Sequence, residues 1–86
     1  MELRHLGTFV VVAREGSLTG AAHTLGMAQS SVADHIRSLE RSLGLALFDR
    51  DHTGMRLTDP GARLVDWAHR LLDLAGQARR DVTGTA

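Results

Sequence analysis

The stretch from Ser17 to Glu40, SLTGAAHTLGMAQSSVADHIRSLE, constrains the fold more than any other part of the chain. It reads as two short amphipathic helices joined by a tight glycine turn. Ser17 follows Gly16 and is placed to cap the first helix, because a serine hydroxyl accepts a hydrogen bond from a free backbone N–H of the first turn. Leu18, Ala21, Ala22 and Leu25 then make one apolar stripe at helical spacing. Gly26 tolerates the left-handed conformation that ends a helix, and Met27 supplies an apolar plug in the turn. From Gln29 the pattern resumes: Val32, Ile36, Leu39 and Leu43 lie four, three and four residues apart, a second single stripe. The opposite face carries Gln29, Ser30, Ser31, Ala33, Asp34 and Arg37, short or polar side chains that let another surface come close. Two readings fit this pattern. One is an αα-corner without a ligand; the other is a helix-turn-helix whose second helix is presented outward to read DNA.

Size narrows the choice. A chain of 86 residues makes one domain, and one so short buries only about 60 % of its unfolded surface, so a partner subunit is expected from size alone. Cysteine is absent, which removes disulfides, thiolate zinc sites and cysteine nucleophiles together. The opening MELRHLGTFVVVAREG mixes charged and apolar residues and contains no signal peptide. The longest wholly apolar run, Phe9 to Ala13, is too short to span a bilayer. A soluble cytoplasmic protein is the expectation, with no membrane partner. Charge argues the other way from DNA: ten arginines, with no lysine, balance ten acidic residues. Nucleic-acid binders usually carry a positive excess, because counterion release supplies much of their affinity. Neutrality counts against strong non-specific binding but leaves specific binding open, since local placement outweighs the total. Arginine also forks onto phosphate or guanine in a way lysine cannot.

Along the chain, Leu3, Leu6, Phe9, Val10 and Ala13 fit a first helix from about Glu2 to Arg14, broken by Gly16. The helix-turn-helix spans about 18–43 and Gly44 ends it. Leu45, Leu47 and Phe48, followed by Arg50, read as a short strand; Asp51, His52, Thr53 and Gly54 as a polar turn; Met55, Arg56, Leu57 and Thr58 as a second strand. Three helices and a hairpin over residues 1–58, with the wing at about 45–58, make a mainly α, winged helix-turn-helix. Thr58, Asp59, Pro60 and Gly61 announce a further helix: a hydroxyl cap, an acid at the positive helix end, and proline in the first turn. This long helix is expected over 59–82, leaving 83–86 as a flexible tail. Leu64, Ala68, Leu71, Ala75, Ala78 and Val82 form a seam at coiled-coil-like spacing, widened by Trp67, Leu72 and Leu74. Its own domain core or a second copy of the same helix, running antiparallel, would cover that seam. Small alanines allow the close approach a second copy needs.

An enzyme is the rival from another class. Asp49, Asp51 and His52 are the one dense cluster of acid–base or metal-ligating residues, and they sit at the hairpin. Alternation puts the two aspartates on one face and His52 on the other, and no second cluster supplies the three or four convergent ligands of a closed metal site. His35, beside Asp34, reads as a surface or partly buried helix residue rather than a base. No glycine-rich phosphate loop or nucleophile motif is present, nothing calls for a cofactor, and the chain is too small to enclose a substrate pocket of usual size. The expectation is no catalytic residue and no metal. A protein-interaction module, with the long helix as dimerisation device, is the second rival.

Taken together and in order, MELRHLGTFVVVAREGS, LTGAAHTLGMAQSSVADHIRSLE, LGLALFDR and RLTDPG leading into a long helix resemble the N-terminal DNA-binding region of LysR-type transcriptional regulators, over residues 1 to about 80. The resemblance implies sequence-specific binding of double-stranded DNA, at an interrupted inverted repeat, by a homodimer paired through the linker helix. It implies that Gln29, Ser30, Ser31, Ala33, Asp34 and Arg37 face the major groove. It implies a backbone-contacting arginine at Arg50 and a wing carrying His52, Thr53 and Arg56 toward the minor groove. For the dimer it implies contacts by Leu64, Trp67, Ala68, Leu71, Leu74, Ala75 and Ala78. In that family a larger C-terminal domain binds a small-molecule inducer; none lies within these 86 residues, which are expected to be a DNA-binding fragment or a truncated protein. Three positions depart from the family pattern. Ala28 stands where a capping serine is usual, which loses a hydrogen bond worth about 1 kcal/mol. Ala33 replaces another serine and offers only a methyl, for instance to thymine. Asp34 stands where a basic or amide side chain is common. It either accepts from a cytosine amino group or pairs locally with Arg37.

Overall fold

The computed structural model describes residues 1–51 and 54–84. Four helices and one hairpin follow one another in the order α1 (Leu3–Glu15), α2 (Leu18–Leu25), α3 (Gln29–Leu43), β1 (Phe48–Asp51), β2 (Gly54–Leu57) and α4 (Asp59–Thr83). This is a winged helix-turn-helix with a long C-terminal helix.

Local chemistry sets the element ends. The Ser17 hydroxyl accepts from the Gly20 N–H at 2.9 Å and starts α2. Gly26, at φ 64°, closes α2 in the left-handed region, and its N–H turns back to the Ala22 and His23 carbonyls. Thr58 does two jobs: its hydroxyl accepts from the Gly61 N–H and donates to the Ala46 carbonyl at 2.7 Å, capping α4 and tying it to the segment before β1. A β-carbon at Gly61 would overlap the Leu47 carbonyl oxygen, so only glycine permits that approach.

The core gathers Leu6, Phe9 and Val12 from α1, Ala21 and Ala22 from α2, and Val32, Ile36 and Leu39 from α3. Leu47, Phe48 and Ala68 close it from the other side. Phe9 and Phe48 pack with ring centroids 5.4 Å apart, a favourable tilted pairing. The hairpin pairs Phe48 with Leu57, Asp49 with Arg56, Arg50 with Met55 and Asp51 with Gly54. It docks on the α1–α2 turn through the Met55 N–H, which donates to the Gly16 carbonyl at 3.0 Å.

Several expected details differ. The α1 stripe is rotated: Leu3 is exposed and Val12 is fully buried. Glu2 is the residue before α1 rather than its first. The first strand begins at Phe48, not Leu45, because the Glu40 carboxylate accepts from the Leu47 N–H at 2.8 Å and holds that segment to α3. Helix α4 takes in Thr83 and ends at Gly84, so residues 83 and 84 are not a tail. Thr85 and Ala86 lie outside the described residues.

Candidate nucleic-acid interface

Helix α3 divides cleanly into two faces. Val32, Ile36 and Leu39 enter the core, while Gln29, Ser30, Asp34 and Arg37 are exposed and Ser31 is half-buried. Ala33 departs from its expected place: it is buried, 8 % exposed, against the core side of α3. Alanine carries no polarity to mark its direction, so neither spacing nor the family resemblance reveals this burial. The first turn of α3 lacks a side-chain cap, because Ala28 has no acceptor to offer.

Three of the exposed side chains have partners. Asp34 and Arg37 form an ion pair one turn apart. Gln29 accepts from the Thr19 hydroxyl at 3.3 Å, a contact between the two helices of the motif. Thr19 carries little signal in the sequence beyond its place on the exposed side of α2, about two turns before the glycine turn.

Behind this face, His35 contacts α1. Its Nδ1 lies 2.7 Å from the Thr8 hydroxyl, and its ring centroid is 4.5 Å from that of buried His5. Partial burial, then the neighbouring His5 and Arg4, hold the His35 pKa below the usual histidine value; Asp34 and Glu2 oppose that shift.

Beside α3, a cleft of about 310 Å3 opens toward the hairpin, lined by Ala33, Arg37, Phe48, Arg50 and Met55 among others. Arg37 and Arg50 therefore flank one cleft. Arg50 makes no ion pair with any described residue, whereas Arg56 lies 3.7 Å from the Asp51 carboxylate. Asp49 and Asp51 flank no ligand set: among the described residues, no three histidines or acids converge on a metal position. His52 and Thr53 lie outside the described residues.

Helix α4 spans 25 residues, about 37 Å at 1.5 Å per residue, and the molecule measures 46 × 26 × 18 Å. Its expected seam splits in two. Ala68 is fully buried in the chain's own core, and Leu64 and Leu71 pack half-buried against it. Ala68 is thus unavailable to a second chain; its small side chain is what lets α4 lie close on the core. Ala75 is half-buried. Trp67 (58 % exposed), Leu74 (60 %), Ala78 and Val82 remain on the outer face, and the Arg70 guanidinium sits 5.0 Å from the Trp67 ring centroid.

Residues 3–62 match the family described as bacterial regulatory helix-turn-helix protein, lysR family. The chain belongs to the LysR family. It is similar to the uncharacterized HTH-type transcriptional regulator YusT of Bacillus subtilis (strain 168), with 41 % identity over 86 residues, all of this chain and 29 % of that protein. It is also similar to the HTH-type transcriptional regulator YofA of the same organism, 42 % identical over 80 residues, 93 % of this chain and 28 % of the relative. The chain thus spans less than a third of the length of these curated relatives. Among solved structures, it resembles that of the CbnR_DBD-DNA complex at TM-score 0.94 and 34 % identity, covering 98 % of this chain and 97 % of that one. It also resembles that of the BenM_DBD/benA site 1 DNA complex at TM-score 0.91 and 36 % identity, covering all of both chains. No helix among the described residues is long and apolar enough to cross a membrane.

Proposed function

We propose that this chain is the sequence-specific, double-stranded-DNA-binding portion of a LysR-type transcriptional regulator and acts as a homodimer. Helix α3 enters the major groove, whose width admits an α-helix, and the hairpin approaches the adjacent minor groove. The observation that carries this reading is the outward face of α3. Gln29, Ser30, Asp34 and Arg37 are exposed together, beside a cleft shared with Arg50. The CbnR and BenM domains that share this fold are solved on DNA, which supports the same use here.

Dimerisation rests on the outer face of α4, where Trp67, Leu74, Ala78 and Val82 would be costly to leave in water. Two copies related by a two-fold axis read an interrupted inverted repeat, with half-sites about one helical turn or a multiple of it apart. An inducer acts, by family analogy, through a domain outside these residues. The site of action is the cytoplasm, where bacterial operator DNA lies, and the chain performs no catalysis.

Selection of bound sequences from a random duplex pool, followed by fluorescence anisotropy at two salt concentrations, tests the proposal. An enriched inverted repeat bound in a salt-sensitive way is expected. Salt-insensitive or absent binding to every duplex would leave a protein-interaction module in its place.

A further inference from the structure

The Asp34–Arg37 ion pair stands in the middle of the outward face of α3, with both side chains exposed (69 % and 51 %). Asp34 is not fixed by the fold, and an exposed carboxylate on a surface that meets phosphate carries a cost. An unpaired arginine at residue 37 would sweep a wide arc and attract any nearby phosphate. Paired with a carboxylate, the guanidinium has its long-range field offset by an opposite charge at contact distance. What the pairing leaves intact is the planar fork of remaining N–H donors, now held in one direction.

Resting on the DNA-binding reading above, we propose that Asp34 is a positioning residue for sequence choice: it aims the Arg37 guanidinium at the major-groove edge of a guanine. Guanine presents two adjacent acceptors there, O6 and N7, which match the fork. Adenine places an N–H donor beside its N7, thymine offers a single acceptor, and cytosine offers a donor. A held fork therefore favours guanine over the other three bases, while a mobile charge at the same position favours none. Neutralising Arg37 also removes part of the attraction to random duplexes, so Asp34 exchanges general affinity for choice of one base pair.

The test uses the 86-residue chain as wild type, Asp34→Ala and Arg37→Lys, with circular dichroism establishing that each retains its helices. Each protein is taken through sequence selection, then titrated against the selected duplex, against the same duplex with that guanine replaced by adenine, and against random duplex. For the wild type we expect one guanine per half-site whose replacement weakens binding about 5- to 150-fold. Arg37→Lys keeps the charge but loses the fork, and flattens the preference at that position only. Asp34→Ala flattens the same position and binds random duplex more tightly than wild type. An Asp34→Ala protein that keeps the full preference at every position overturns the proposal. So does a position lost in Asp34→Ala but retained in Arg37→Lys, which would make the carboxylate itself the reader. Absence of salt-sensitive binding by all three proteins overturns the DNA-binding reading instead, a result distinct from either.

Discussion

All four helices of this domain begin at residues in extended conformation, but only two of those residues supply a side-chain acceptor to the first turn. Ser17 and Thr58 each accept from the N–H three residues on, at 2.9 and 3.1 Å. Ala28 sits at φ −65°, ψ 142°, close to the −74°, 172° of Thr58, and makes no such bond. The substitution Ala28→Ser therefore adds the missing hydroxyl to a backbone already in capping geometry, at an exposed position with room for it. A cap of this kind stabilises by about 1 kcal/mol. With an unfolding entropy of about 2.1 cal/mol/K per residue, 86 residues give about 0.18 kcal/mol/K, and the expected rise in Tm is about 5 °C. Ser17→Ala provides the mirror image: it deletes the bond to Gly20 and is expected to lower Tm by a similar amount. Thermal unfolding followed by circular dichroism at 222 nm measures both. If Ser17→Ala lowers Tm while Ala28→Ser leaves it unchanged, α3 does not begin where its backbone says it does, and the capping argument fails for this helix.

Three further outcomes follow from the same geometry. Burial holds the His35 pKa below its usual value of about 6.5, so the folded state binds a proton less readily than the unfolded chain. Stability is expected to be unaffected by this group above that pH and to fall as the pH drops through the window beneath it. His35→Gln should flatten that part of the Tm-versus-pH curve, and identical curves would refute the assignment. Leu74→Glu, on the outer face of α4, is expected to give folded monomers in sedimentation, whereas Leu71→Glu should unfold the chain because Leu71 packs on the core. Arg50→Ala should weaken binding to all duplexes alike and lower the salt slope by about one unit; Arg56→Ala should do less, because Asp51 already offsets that charge.

The α2–turn–α3 motif was legible because its signals are local. A capping hydroxyl, a glycine in left-handed conformation and an apolar period of three or four residues each act within one or two turns of chain. What escaped notice depended on residues far apart in sequence. Leu45 and Leu47 look like the start of a strand until the Glu40 carboxylate takes the Leu47 N–H. His35 reads as a surface histidine until Thr8, 27 residues earlier, is found within hydrogen-bonding distance of its ring. Ala33 and Ala68, which the family resemblance implies as a DNA contact and a dimer contact, are buried for one shared reason. Alanine fits either side of an amphipathic helix, and its direction is decided by how closely the neighbouring element packs.

The balanced charge of the chain also takes on a physical sense once the arginines are located. Along the face that α3 shares with the hairpin, Arg37 is paired with Asp34 and Arg56 with Asp51. Arg50, which lines the cleft together with Arg37, makes no ion pair with any described residue. An interface built this way gives up much of the uniform attraction that a lysine-rich surface has for every phosphate. Its arginines keep their directional donors, and those donors act only where a matching acceptor is in reach. Under the proposed DNA-binding function, neutrality therefore does not oppose recognition; it moves the weight of recognition from the backbone toward the bases.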